Sequence, residues 1–249
     1  ARTNVTADHD VVVRTGFPQR IPVIIVGRNQ VQAWGITNTG PDVQDFFIEK
    51  TDTNDPSRYL TPDGTADFFK RTETIHVKNS PDVIMEIRET RHGPVISDAS
   101  QLHAGAVGDD ESLALSWTAL SDDDTTLQAG FNLANSKSWA EMKTALRDFI
   151  APQQNFISAH IDGGVHFIAP GRVPIRRNGD GWVPSAGWTG DGDWIGTVPF
   201  DELPHQDNPD NGMIVTANHK IVDTDYPYFI THDWAMPYRA DRIKALLTD

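Results

Sequence analysis

Trp34-Gly-Ile-Thr-Asn-Thr-Gly-Pro-Asp-Val-Gln-Asp-Phe-Phe-Ile-Glu49 is the stretch on which the reading of this chain turns. It leaves an apolar hairpin, Val23-Ile-Ile-Val-Gly-Arg-Asn-Gln-Val-Gln-Ala33, and crosses a small polar turn from Thr37 to Gly40. It then enters a new apolar run that carries two carboxylates three residues apart, Asp42 and Asp45. Apolar and β-branched residues on both sides of Gly27-Arg-Asn-Gln30 predict strands over 23–26 and 31–36, and residues 43–51 predict a third.

Outward from this stretch the chain alternates short strands with tight turns. Pro62-Asp63-Gly64 predicts a turn in which Gly supplies positive φ. Residues 74–77 and 83–90 read as a strand pair, Arg91-His-Gly-Pro94 as a sharp break, and 113–120 as a further strand. Helices are predicted over 126–135 and 139–149. The second places Trp139, Met142, Leu146 and Phe149 on one face, with Ser138 and Glu141 at capping-box spacing. Asp162-Gly-Gly164 between apolar runs predicts another hairpin. Residues 171–209, rich in Gly, Pro and Trp, read as irregular. A strand over 213–217 and a C-terminal helix over 238–247 complete the pattern. It predicts one mixed α+β domain over residues 1–249, built on antiparallel sheets.

The formal net charge of −14 argues against the basic face that phosphate binding needs, so no nucleic-acid partner is expected. No apolar run approaches the roughly 20 residues that span a bilayer, so no membrane partner is expected either. The chain has no cysteine, which removes disulfides, thiolate catalysis and Cys-based zinc sites. Its first ten residues contain no apolar signal core and no initiating Met, and they read as mid-chain sequence of a processed or truncated piece. The serines stand in no Gly-x-Ser-x-Gly elbow, and the nine histidines show no metal-ligand spacing. His92 reads as a turn histidine bonding backbone, and Asp122-Asp-Asp124 and Asp191-Gly-Asp193 read as solvated turns.

Beyond the opening stretch stand Glu89-Thr-Arg-His-Gly-Pro-Val-Ile-Ser-Asp98, Gln153-Gln-Asn-Phe156, Ile168-Ala-Pro-Gly-Arg-Val-Pro-Ile-Arg-Arg177 and Ile214-Val-Thr-Ala-Asn218. Asp225-Tyr-Pro and Ala240-Asp-Arg242 follow them. In this order and number the motifs resemble the β-subunit of the penicillin acylase family of N-terminal-nucleophile amide hydrolases. The resemblance covers nearly the whole chain and matches poorly only over residues 1–14. It implies an αββα four-layer fold and hydrolysis of a linear amide through an acyl-enzyme. The substrate would be a β-lactam side-chain amide or an N-acyl homoserine lactone. The nucleophile would be an N-terminal Ser upstream of Ala1, whose α-amine serves as general base. Thr3 is not expected to replace it.

The same resemblance assigns residues. Asn218 would donate through its side-chain amide to the oxyanion, and the backbone N–H of Asn38 would be the second donor. Arg242 would stand behind them and orient the amide. Read without the resemblance, Asn218 is a strand-end turn residue, Asn38 a left-handed turn residue, and Arg242 a helix-face charge. Val26, Phe131 and Gln154 would line an acyl pocket, although Val26 and Phe131 also suit ordinary core packing. Asp42, the carbonyl of Gln44, Asp45 and Asp233 would hold a structural Ca²⁺, or else form a solvated loop. No organic cofactor is implied. The implied partners are an α-subunit from the same precursor and a small-molecule amide, and the implied location is periplasmic or secreted. Two alternatives stay open at this point: a catalytically inactive homologue, and a secreted module binding calcium or sugar.

Overall fold

The computed structural model describes residues 24–99 and 107–248 in full, together with the backbone of 4–7 and 9–12. β1 (Asn4–Ala7) and β2 (His9–Val12) pair antiparallel. The opening apolar hairpin forms later in the chain than its apolar run suggests. It joins β3 (Gly27–Arg28) to β4 (Gln32–Asn38), with Gly27 opposite Trp34. The cause is Asn29, whose Oδ1 accepts from the N–H groups of Val31 and Gln32 and so fixes the turn there. Residues 24–26 lie outside any strand, and Val23 lies outside the described residues.

β5 (Gln44–Asp52) follows as predicted. β6 (Asp55–Thr61) and β7 (Gly64–Asp67) close through Pro62-Asp63, with Gly64 at φ +133°. β8 (Phe69–Ile75) and β9 (Val83–Thr90) form the next hairpin. β10 (Gly93–Pro94) turns back on β9, and β11 (Glu111–Trp117) pairs with β5. Helix α1 spans Thr126–Asn135. Helix α2 (Trp139–Leu146) begins at the Ser138 cap, whose side chain accepts from Glu141 N–H. Glu141 reaches back to the N–H of Lys137. The helix stops at Leu146 rather than at 149, because its last carbonyls are taken by three-residue turns from Arg147, Asp148 and Phe149.

β12 (Gln154–His160) and β13 (Val165–Ile168) flank the predicted Asp162-Gly-Gly164 turn. The stretch read as irregular carries four short strands: β14 (Pro174–Arg176), β15 (Ser185–Ala186), β16 (Trp194–Thr197) and β17 (His205–Asp207). Helix α3 covers Tyr238–Thr248. No strand forms at 213–217; among the described residues this segment joins no ladder. A side-chain bond from Thr37 Oγ1 to Thr216 Oγ1, 2.9 Å, ties it to β4. The chain is mixed α+β, and no described helix is long and apolar enough to cross a membrane.

The chain separates into two compact units, neither of them continuous in sequence. The first comprises Ala1–Pro41, Ser121–Val173 and Thr197–Asp249. Its sheet runs β17-β13-β12-β4-β3, all antiparallel. Trp34, Phe156 and Ile168 from the sheet pack against Leu133, Met142, Ala145 and Leu146 from α1 and α2. The second unit comprises Asp42–Leu120 and Pro174–Gly196. It holds the sheet β11-β5-β6-β7, with β15 parallel on β5, and the sheet β10-β9-β8. Tyr59, Phe68 and Val95 form its apolar cluster.

Candidate functional site

In the first unit, Asn218 adopts a left-handed backbone, φ +64°, a conformation that Asn tolerates better than most residues. That turn aims its carboxamide at the end of β4. Nδ2 donates to the Asn38 carbonyl at 2.8 Å, and Oδ1 accepts from Arg239 at 2.8 Å. The same guanidinium nitrogen donates to Ala217 O at 2.7 Å. The two bonds fix which end of the amide is nitrogen. An NH₂ group carries two hydrogens, so one donor remains beyond the Asn38 bond.

Asn38 is the last residue of β4, opposite Gln154 on β12. Its Oδ1 accepts from Gly40 N–H and from Gln154 Nε2, each at 3.3 Å. On the other face of this strand pair a second network holds the turn. Fully buried Asn155 donates to Thr37 Oγ1 and accepts from Thr39 Oγ1, both at 3.1 Å. Thr37 in turn donates to Thr216. Beneath Asn218, His219 Nδ1 accepts from Ala217 N–H at 3.3 Å. Burial, then the charges of Lys244 and Arg239, hold the His219 pKa below its ordinary value, against the opposing pull of Asp241.

Side chains two apart on a strand share a face. Ile36 and Asn38 on β4 therefore share one with Gln154 and Phe156 on β12. This face lines a cavity of about 520 Å³, closed by Leu133, Leu146 and Phe149 from the helical side. A cavity of that size, apolar with one polar edge, suits a small ligand. Gln154 lines it and also touches Asn38, so it joins the cavity to the Asn38–Asn218 pair.

Of the residues expected here, the structure brings together Asn38, Asn218 and Gln154. Arg242 is exposed and makes no hydrogen bond or ion pair among the described residues, whereas Arg239, one turn earlier on α3, holds Asn218. Val26 and Phe131 are 44% and 41% exposed and do not line the cavity. Their neighbours Ile24, Ile25 and Gly130 do.

A family model described as penicillin amidase matches residues 16–249. The chain belongs to the penicillin amidase family. It is 32% identical over 227 residues to acyl-homoserine lactone acylase QuiP of Pseudomonas fluorescens, covering 91% of this chain and 27% of that protein. It is 29% identical to penicillin acylase 2 proenzyme of a Pseudomonas species, covering 92% of this chain and 28% of the relative. It superposes on thermostable penicillin G acylase from Alcaligenes faecalis with a TM-score of 0.78 at 26% identity, over 98% of this chain and 43% of that one. The chain thus spans little more than a quarter of the length of these curated relatives.

In this penicillin amidase family member, the carboxylates expected to bind calcium have partners within the chain. In the second unit, Arg176 donates to both oxygens of Asp45, at 2.7 and 2.8 Å, and to the Asp42 carbonyl at 3.1 Å. Trp194 Nε1 donates to Asp45 as well. Gln44 opens β5 beside them. Asp233 lies in the first unit, exposed, with its own N–H on Thr231 Oγ1. Among the described residues, no group of three or more His, Asp or Glu is placed to hold a metal. The Asp42 carboxyl is raised above its ordinary range, chiefly by burial; Arg176 opposes the rise, and Asp45 and Asp180 add to it.

His92 is likewise no backbone-bonding turn residue. Its ring stacks on Phe47 at 3.6 Å, with Nδ1 2.6 Å from buried Glu49 and Nε2 3.1 Å from Asp193. Arg91 forks onto Asp193 at 2.7 and 2.8 Å. In the Asp191-Gly-Asp193 turn, Asp193 is therefore bonded inward, while Asp191 is exposed as a solvated turn residue is. In the first unit Asp123 pairs with Arg172, and Asp124 accepts from Thr126 N–H at the start of α1.

Proposed function

We propose that this chain supplies the oxyanion-stabilising and acyl-binding part of an amidohydrolase that cleaves linear amides. The observation that carries this reading is the Asn218 carboxamide bonded to Asn38 at the edge of a 520 Å³ apolar cavity. Attack on an amide carbonyl places negative charge on its oxygen, and preorganised donors stabilise that charge. The unused N–H of Asn218 and the backbone N–H of Asn38 are the proposed donors. Arg239 orients the Asn218 amide, and the acyl chain enters the cavity past Gln154. The nucleophile is an N-terminal Ser upstream of Ala1, in a four-layer αββα arrangement completed by an α-subunit. The enzyme works outside the cytoplasm. The relatives named as acylases of penicillins and of acyl-homoserine lactones support both substrate groups.

The test is hydrolysis. A polypeptide extending this chain to its whole precursor, with the α-subunit and a Ser at the processed β N-terminus, is assayed on a phenylacetyl amide and on long-acyl homoserine lactones. Turnover is expected, with Asn218→Ala lowering kcat by roughly 10²- to 10³-fold, as loss of one oxyanion donor does. The 249-residue chain alone is expected to be inert. No turnover by the extended polypeptide would favour the inactive homologue. Turnover by the chain alone would overturn the placement of the nucleophile.

A further inference from the structure

The geometry points to Arg176 as a built-in counter-cation that holds Asp42 and Asp45 in place of a divalent metal. Three observations meet there. The first is the fork: Nε and Nη2 of Arg176 each bond one oxygen of Asp45, at 2.7 and 2.8 Å. Two parallel charge-assisted bonds match the planar guanidinium fork to a carboxylate. The second is closure. The Arg176 side chain is 3% exposed and that of Asp45 is 5% exposed. Gly181, at φ +79°, lies against the pair so closely that a Cβ there would stand 2.2 Å from Asp45 Oδ1 and 2.9 Å from the guanidinium. The third is reach: Nη2 also bonds the Asp42 carbonyl and stands 3.6 Å from its carboxylate.

The charge balance follows. Calcium takes six to eight oxygens at about 2.3–2.6 Å. An ion at that distance from Asp45 would face the Arg176 charge almost in contact, inside a closed pocket with little water to screen the repulsion. The guanidinium already neutralises Asp45 and reaches Asp42, and Trp194 N–H takes a further lone pair of Asp45. The turn that leads into β5 is thus held by a cation that is part of the chain, through a bond between β5 and β14. Its integrity is set by sequence and not by calcium supply.

Thermal unfolding of the full chain tests this, in excess chelator and in millimolar calcium, alongside luminescence of terbium, a calcium surrogate that tryptophans near the site can sensitise. The wild type is expected to melt at the same temperature in both solutions and to give no saturable terbium signal that calcium displaces. Arg176→Gln is expected to melt lower and to regain part of the loss in calcium, because the carboxylates are left without a counter-charge. Asp45→Asn added to it abolishes that rescue. Should Arg176→Gln not fold, Arg176→Lys keeps the charge without the fork, and is expected to melt below the wild type and to ignore calcium. Saturable calcium stabilisation of the wild type overturns the proposal, as does an Arg176→Gln protein with wild-type melting.

Discussion

Asn218 is at once a turn residue and the proposed oxyanion donor. Its left-handed backbone is one that Asn tolerates in a turn, and that same backbone turns the carboxamide toward Asn38. The motif names Asn38, Asn218 and Arg242, and the structure bonds Asn218 to Asn38 and to Arg239 rather than to Arg242. The two lie three residues apart on one helix and so project from adjacent turns of the same side. We expect Arg239→Gln to lower turnover of the extended polypeptide by roughly 3- to 10-fold, the worth of one partly exposed charge-assisted bond. Arg242→Gln is expected to leave it unchanged; equal losses would mean that Arg239 has no special part. Val26 and Phe131 stand beside the cavity lining and not in it. One residue earlier in the chain, Ile25 and Gly130 line the cavity instead. His219 adds a pH dependence. Its folded pKa lies below the unfolded value, so the neutral ring favours the fold. That stability is present above the unfolded pKa of about 6.5 and is lost as pH falls through the lower folded value. Melting temperature is expected to drop between neutral and mildly acid pH, and less steeply in His219→Gln. Identical pH profiles for the two proteins would contradict this.

At the scale of elements, the reliable signals were those with a local mechanism. The Ser138 cap, the Pro62-Asp63 turn and the Asp162-Gly-Gly164 turn all formed where their side chains or glycines demand. The first hairpin slipped because Asn29 places the turn by its own side-chain bonds, which apolar patterning does not reveal. Residues 213–217 have the β-branched composition of a strand but no ladder partner among the described residues, and pairing is a tertiary event. Ser138→Ala is expected to cost about 1 kcal/mol and to lower the melting temperature by roughly 2–4 °C. An unchanged melting temperature would show the cap to be idle. Gly93 is a stricter case. It sits at φ +120°, and a Cβ there would stand 2.3 Å from the Leu115 carbonyl. Gly93→Ala is expected to cost at least about 1–3 kcal/mol through backbone strain, read as a lower denaturation midpoint. A neutral effect would contradict the close approach of β10 to β11.

Taken whole, the sequence announced a mixed α+β chain and its family, because those rest on many short motifs in order. It could not announce that Asp45 is closed by Arg176, since the two stand 131 residues apart and meet only in the folded second unit. His92 was hidden in the same way, for its carboxylate partners come from Glu49 and Asp193. In the first unit the core and the cavity share residues. Leu146 is fully buried and lines the cavity. Leu146→Ala is expected to destabilise by about 2–5 kcal/mol while enlarging the space open to an acyl chain. Destabilisation without wider acyl tolerance would show that the cavity does not hold the acyl group.

The most direct test of the central claim is calorimetric titration of the full chain with decanoate and phenylacetate, the carboxylic acids that amide cleavage would release. The account predicts saturable binding by the wild type. It predicts affinity about tenfold weaker in Asn218→Ala, from the lost hydrogen bond, and no binding in Gly130→Leu, whose side chain fills the cavity. No saturable binding by the wild type, or binding indifferent to both substitutions, would contradict it.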